Sequence, residues 1–174
     1  MASDLDVKFS FGSFNSPCSM YNSQFSIWPP FNPDLLTNFD CFRYLMVPAP
    51  CWMKSNKQSK LSLCDKPGVT MWVNQGGKDG TGTFAFQTGG YARLAQHLIQ
   101  QYNYQLGEDL FAAPYDWRLS LQALEDTGQF DAIAQRVSNA VELNCGKKAI
   151  LLGHSMGSLV ALGMLRSPKL LSWR

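Results

Sequence analysis

Three features of the sequence predict an α/β fold in three layers, αβα, with a mostly parallel sheet. From residue 69 onward, β-type apolar runs alternate with helix-spaced segments in the order strand, helix, strand, helix, strand, helix. Helices packed on both faces of a parallel sheet produce that order. One strand-to-helix junction carries Gly153-His154-Ser155-Met156-Gly157, a spacing suited to a sharp reversal at the end of a strand. The composition is globular, 45% hydrophobic and 16% charged, and a 174-residue chain buries about 70% of its unfolded surface, enough for a real core. A net charge of +2 gives no basic field, so no nucleic-acid partner is expected. The first twenty residues contain Asp4 and Asp6 and no continuous apolar run, so they do not read as a signal peptide. Nothing in the chain approaches the 18 apolar residues of a membrane span.

Residues 1–40 show little periodicity and many aromatics, among them Phe9, Phe11, Phe14, Tyr21, Phe25, Trp28, Phe31 and Phe39. Pro29, Pro30 and Pro33 forbid a regular helix around Trp28, so this stretch reads as a loop whose apolar side chains need a cover or a partner. Five cysteines, Cys18, Cys41, Cys51, Cys64 and Cys145, lack C-x-x-C spacing and only two histidines accompany them, so neither a metal nor a cofactor is expected. Cys18 and Cys41 read either as a pair, worth on the order of 3 kcal/mol through the unfolded state, or as two buried free thiols. Cys51 and Cys64 could staple the polar excursion Lys54–Lys60, which separates the candidate strands Tyr44–Val47 and Val69–Val73.

The run Gly76-Gly77-Lys78-Asp79-Gly80-Thr81-Gly82 lacks the G-x-x-x-x-G-K-[ST] spacing and opens no helix, so it reads as a solvated turn and not a phosphate loop. Tyr91, Leu94, Ala95, Leu98, Ile99 and Tyr102 recur at intervals of three and four, the core-facing stripe of a helix. His97 lies off that stripe and reads as a surface residue. Asp109–Ala113 reads as a short strand stopped by Pro114, with Tyr115-Asp116-Trp117-Arg118 at its carboxyl end, where open parallel sheets bind ligands. Asp116 and Arg118 are expected to form a charge pair that braces the loops there. A second helix runs from Gln129 to Leu143 with Phe130, Ile133, Ala134, Val137, Ala140 and Val141 on one face and Gly146 as its stop.

That helix delivers the chain to Ala149-Ile150-Leu151-Leu152 and the G-x-S-x-G turn. By chance such a pentapeptide occurs in roughly one chain of this length in twenty, so its setting between a β-type run and the helix-spaced Leu159, Val160, Gly163 and Met164 carries the reading. In a nucleophile elbow the serine adopts a strained backbone, the residues two before and two after it approach closely, and both are expected to be glycine, as Gly153 and Gly157 are. Ser155 is the candidate nucleophile, and the N–H of Met156 the candidate donor to an oxyanion. His154 belongs to the turn and is badly placed to deprotonate its neighbour.

Several of these segments together resemble the lecithin:cholesterol acyltransferase family, whose members include sterol and diacylglycerol acyltransferases with phospholipid donors and the lysosomal phospholipase. Leu110–Arg118 matches the family's AAPYDWR stretch, and Ala149–Gly157 follows it at the expected remove. Pro67-Gly68-Val69-Thr70 matches a PGV strand start, and Ser3-Asp4-Leu5-Asp6-Val7-Lys8-Phe9 is similar to the family's opening segment. Cys18–Cys41 resembles the disulfide-closed lid, with Phe25-Ser26-Ile27-Trp28 where the family carries a lid tryptophan.

The resemblance implies an incomplete α/β-hydrolase: residues 1–66 as lid or cap and lead-in, residues 67–174 as a partial core with the elbow. It also implies a Cys18–Cys41 disulfide and a lipid-contacting surface of Phe25, Ile27, Trp28 and Phe31. The implied reaction passes an acyl chain from phospholipid through Ser155 to a sterol, another lipid alcohol or water, at a membrane or lipoprotein surface. The implied compartment is secreted, lysosomal or endomembrane lumen. Two features depart from the pattern. Residues 156–174 contain no Asp, Glu or His to complete a Ser, Asp, His order, and the family strand that supplies a second oxyanion donor would stand ahead of Met1. An internal piece of such an enzyme is therefore expected, with a generic serine esterase or a non-catalytic lipid-binding relative as the alternatives.

Overall fold

A computed structural model describes residues 5–9, 17–18, 24–28, 37–47, 50–55, 58–63, 66, 69–82, 86 and 89–167. In chain order the elements are β1 Leu5–Phe9, β2 Gln24–Trp28, α1 Phe39–Met46, β3 Pro50–Ser55, β4 Gln58–Leu63, β5 Val69–Val73, α2 Ala92–Tyr102, α3 Leu121–Asp126, α4 Gln129–Leu143 and α5 Met156–Arg166.

The described strands pair antiparallel. β1 is central between β2 and β5, in the order β2-β1-β5, and β3 with β4 forms a separate hairpin. Leu5-Asp6-Val7-Lys8-Phe9 alternates apolar and polar, which puts Val7 on the buried face and Lys8 in solvent. The loop expected around Trp28 is therefore, at residues 24–28, a strand that ends where Pro29 removes a ladder donor. The Lys54–Lys60 excursion is likewise spanned by the β3–β4 hairpin. Cys51 lies on β3, and Cys64 is outside the described residues.

The strand expected at Tyr44–Val47 is corrected to the end of helix α1. The Asn38 side chain accepts from the Cys41 N–H at 3.1 Å and caps the helix start, and Cys41 and Leu45, four apart, are both buried. Cys41 is disulfide-bonded to Cys18. These residues, with Val7 and Val69, form a first core against which Phe42, Tyr44, Met46, Met71 and Val73 pack. β5, which opens the 67–174 part, thus shares a sheet and a core with residues 1–66.

The second core joins Leu119, Leu124, Phe130, Ile133, Ala134, Val160 and Met164 from α3, α4, α5 and the turn before α3. Helices α2, α4 and α5 stand where the apolar spacing predicts them. On α2 the burial falls on Ala92 and Ala95, while Leu94 and Leu98 line a cavity and Tyr102 is exposed. Helix α3 has a signal that the apolar pattern alone does not reveal: Ser120 accepts from the Ala123 N–H at 3.2 Å and caps it.

The two remaining expected strands differ most from the sequence reading. Neither Asp109–Ala113 nor Ala149–Leu152 belongs to a ladder, and the parallel sheet they would build is not present among the described residues. A parallel strand gains its hydrogen bonds from neighbours far away in sequence, and no described segment stands beside Ala149–Leu152 to supply them.

Candidate active site

The site is built at the start of α5. Ser155 has φ 54° and ψ −125°, a conformation that costs a residue with a side chain about 1–3 kcal/mol and that clusters at functional sites. The turn around it is tightly closed. The Gly157 N–H donates to the His154 carbonyl at 3.0 Å, the Ser158 N–H to the Ser155 carbonyl at 3.0 Å, and the Ser158 hydroxyl to the Gly153 carbonyl at 2.9 Å. Ser158 is a supporting residue that the motif does not single out.

A Cβ on Gly153 would stand 2.7 Å from both the Cα and the N of Ser158 and 2.8 Å from the carbonyl carbon of Gly157, all backbone, so only glycine fits. The expectation that both glycines are sterically required is corrected at Gly157. There a Cβ would meet only the Tyr115 hydroxyl, at 3.8 Å, because residue 157 has already entered the helix.

Ser155 and His154 are exposed. The Met156 N–H has no acceptor among the described residues and lies in the first turn of α5, where the helix dipole presents partial positive charge. Such a group can stabilise negative charge developing beside Ser155. His97 is exposed on α2 and packs edge-to-face on Tyr102, ring centroids 5.7 Å apart, so it serves that helix surface.

The Tyr115–Arg118 stretch borders the elbow. Tyr115 is half-buried, and burial, with Tyr91 adding to it, pushes its phenol pKa up. Its position over the first turn of α5 is legible only as the residue after Pro114. Asp116 is 2% exposed. Arg118 donates from Nη2 to Asp116 Oδ2 at 2.6 Å and from Nε to Oδ1 at 2.8 Å, a two-point pair as expected. Its Nη1 donates to the Leu45 carbonyl at 3.0 Å, and the Asp116 N–H donates to Gln129 Oε1 at 2.7 Å. The pair therefore fastens α1, and with it the Cys18–Cys41 unit, to α4 and the loop beside the elbow. Lys66 lies 4.2 Å from the centroid of the Tyr44 ring, and burial, then the Arg118 charge, lowers its pKa.

The glycine-rich run 76–82 is packed, not merely solvated. Gly80, at φ 78°, leaves no room for a Cβ, which would stand 2.0 Å from the Ala112 carbonyl oxygen. The Ala112 N–H donates to the Asp79 carbonyl at 2.8 Å, and Arg136 Nη1 to the Ala112 carbonyl at 2.7 Å. Among the described residues no three His, Cys, Asp or Glu side chains gather as metal ligands. No helix there is long and apolar enough to cross a membrane. Of the expected lid residues, Phe25, Ile27 and Trp28 have their backbone on β2, while their side chains and the whole of Phe31 lie outside the described residues.

Comparison with known proteins identifies the family. A family model described as "Lecithin:cholesterol acyltransferase" matches residues 31–174. Phosphatidylcholine-sterol acyltransferase of Rattus norvegicus is 30% identical over 161 residues, covering 86% of this chain and 32% of its own length. The protein of the same name from Homo sapiens is 31% identical over 147 residues, 78% of this chain and 31% of its own. The chain thus spans about a third of the length of the curated relatives it matches.

Proposed function

Because the chain belongs to the lecithin:cholesterol acyltransferase family, a family of α/β-hydrolase-like proteins, we propose that it carries the nucleophile of a serine-dependent lipid acyltransferase. The observation that carries this is the backbone of Ser155: an exposed serine held at φ 54° at the start of a helix, followed by a residue whose N–H has no acceptor among the described residues.

In the proposed reaction Ser155 Oγ gives its proton to a base and attacks the ester carbonyl of a phospholipid. The carbonyl oxygen becomes an oxyanion facing the Met156 N–H. Collapse of the intermediate expels the lysophospholipid oxygen, which takes up a proton, and leaves the acyl group on Ser155. A sterol, another lipid alcohol or water then accepts the acyl group, and the serine regains its proton. Gly153 and the Ser158 hydroxyl hold the turn, and the Asp116–Arg118 pair fixes the loop above it. The base and its acid partner are unassigned within these residues: His97 serves the α2 surface, and His154 is part of the turn itself. Phe25, Ile27, Trp28 and Phe31 are proposed as the lipid-facing lid, at a membrane or lipoprotein surface. The Cys18–Cys41 bond fits an oxidising compartment, either extracellular or lumenal.

One rival is a lipid-binding relative without turnover. Fluorophosphonate labelling separates the two. The expected result is a single adduct on Ser155, absent in Ser155→Ala, whose vesicle binding is unchanged. Adduct on another serine, or acyl transfer retained by the alanine variant, overturns the assignment.

A further inference from the structure

An eight-residue helix is too short to be stable by itself in water, so α1 depends on what holds its two ends. At its start the Asn38 side chain accepts from the Cys41 N–H at 3.1 Å and donates to the Pro17 carbonyl at 3.4 Å, and Cys41 is bonded to Cys18. At its end the last carbonyls have no partner within the helix and carry partial negative charge. That of Leu45 accepts from Arg118 Nη1 at 3.0 Å, and the same nitrogen lies 3.5 Å from Met71 Sδ on β5. The cation that caps α1 therefore comes from 73 residues further along the chain.

The rest of the guanidinium is committed to Asp116. Nε and Nη2 each donate to the carboxylate, and the Arg118 N–H donates to Oδ1 at 3.1 Å, so the two side chains move as one body. From Asp116 two short routes lead to the elbow. Its carbonyl accepts from the Leu119 N–H at 3.1 Å, and Leu119 shares a buried cluster with Val160 and Met164 of α5. Its neighbour Tyr115 packs on that same core, as Met156 does, with its hydroxyl over Gly157. Both routes end on the helix that Ser155 begins.

We propose that Arg118 is a positioning residue that couples the seating of α1 to the geometry of the nucleophile turn. Burial gives the contact its reach. With the Arg118 side chain 6% exposed, Nη1 cannot exchange the Leu45 carbonyl for water unless Asp116 shifts with it. A displaced α1 therefore displaces residues 115–119 and, through them, the first turn of α5. The role calls for arginine, since all three of its nitrogens are used at fixed angles and one ammonium cannot hold carboxylate and carbonyl together. That the coupling tunes acyl transfer rests on the serine reading above, but the coupling itself requires no chemistry at Ser155.

Amide exchange on the 174-residue chain, before and after reduction of Cys18–Cys41, tests it. Reduction releases the first turn of α1. The Leu119, Gly157 and Ser158 amides, all hydrogen-bonded in the structure, should then exchange at least about fivefold faster, the lower end of coupling between distant sites. Amides from Ile133 to Val137, in the middle of α4, report general loss of stability and should change less. Asp116→Leu/Arg118→Met replaces the pair by apolar groups, and in it residues 119, 157 and 158 should respond to reduction no more than α4 does. Arg118→Lys keeps a countercharge for Asp116 and should behave like the double variant. Equal acceleration of α4 and the elbow in the parent overturns the proposal, because Arg118 then supports the fold in general. A selective elbow response that persists in both variants also overturns it, since another contact then carries the coupling. Failure of fluorophosphonate to label Ser155 would count against the serine reading alone and leave this result standing.

Discussion

Arg118→Met should be among the most damaging single substitutions outside the elbow, and the structure sets its size. The Asp116 and Arg118 side chains are 3% and 6% exposed, joined by two short hydrogen bonds, so methionine leaves a carboxylate buried without a countercharge. Breaking a buried pair in this way costs about 3–5 kcal/mol, and losing the bond to the Leu45 carbonyl adds about 1 kcal/mol. In a chain of this size each kcal/mol moves Tm by about 2–4 °C, which gives a fall of roughly 10 °C or more. Urea denaturation followed by far-ultraviolet circular dichroism measures the effect, with Asp116→Leu/Arg118→Met beside it. The double variant should recover more than half of the loss, because an apolar pair of similar volume replaces a buried ion pair at little cost. A loss below about 1 kcal/mol for Arg118→Met, or a double variant no more stable than the single, refutes the view that this pair fastens the two cores.

Three further outcomes follow from individual contacts. Gly153→Ala should open the turn at a cost of about 1–3 kcal/mol and abolish fluorophosphonate labelling of Ser155, while Gly157→Ala, with its Cβ 3.8 Å from the Tyr115 hydroxyl, should label at nearly the parent rate. The Tyr115 phenol, whose pKa is raised by burial above 10.0, adds stability that is present below the unfolded pKa and is lost as pH rises through the folded one. Tyr115→Phe should therefore flatten the fall in urea midpoint above pH 10, and an unchanged slope would assign the fall to other groups. The 174-residue chain by itself should turn over no ester at an enzymatic rate. A positioned base contributes about 10²- to 10⁴-fold and a second oxyanion donor about 10²- to 10³-fold, so Ser155-dependent hydrolysis of nitrophenyl esters would reveal a base among these residues.

The helices read from apolar spacing stand where expected, although part of the α2 stripe, Leu94 and Tyr102, is exposed. Helices α2, α4 and α5 follow from apolar residues three and four apart, and Gly146, at φ 78°, ends α4 with its N–H on the Val141 carbonyl. Backbone geometry at Ser155 was legible because the turn motif is local, although the Ser158 hydroxyl that supports it lies outside the motif. Side-chain caps were the neglected local signal: Asn38 turns an expected strand into α1, and Ser120 starts α3. Alternation in Leu5–Phe9 marks β1 plainly, yet the surrounding aromatics and prolines drew the reading toward a loop.

Pairing was not legible, because it is decided between residues far apart. Ala149–Leu152 has the composition of a buried strand, and β propensity expresses fit to neighbours more than any preference of the backbone itself. Among the described residues no backbone partner pairs with these four, and their side chains are exposed. The strain at Ser155 makes this consequential. A serine at φ 54° persists only if its surroundings over-determine it. On the α5 side it is held by Ser158, by the Gly153 contact and by the packing of Met156 against the second core. On the other side nothing described restrains residues 148–152. A segment that pairs with residues 148–152 would fix the approach to the nucleophile as well as cover Ile150 and Leu152, and Ser155 labelling should rise with protection of the 149–152 amides.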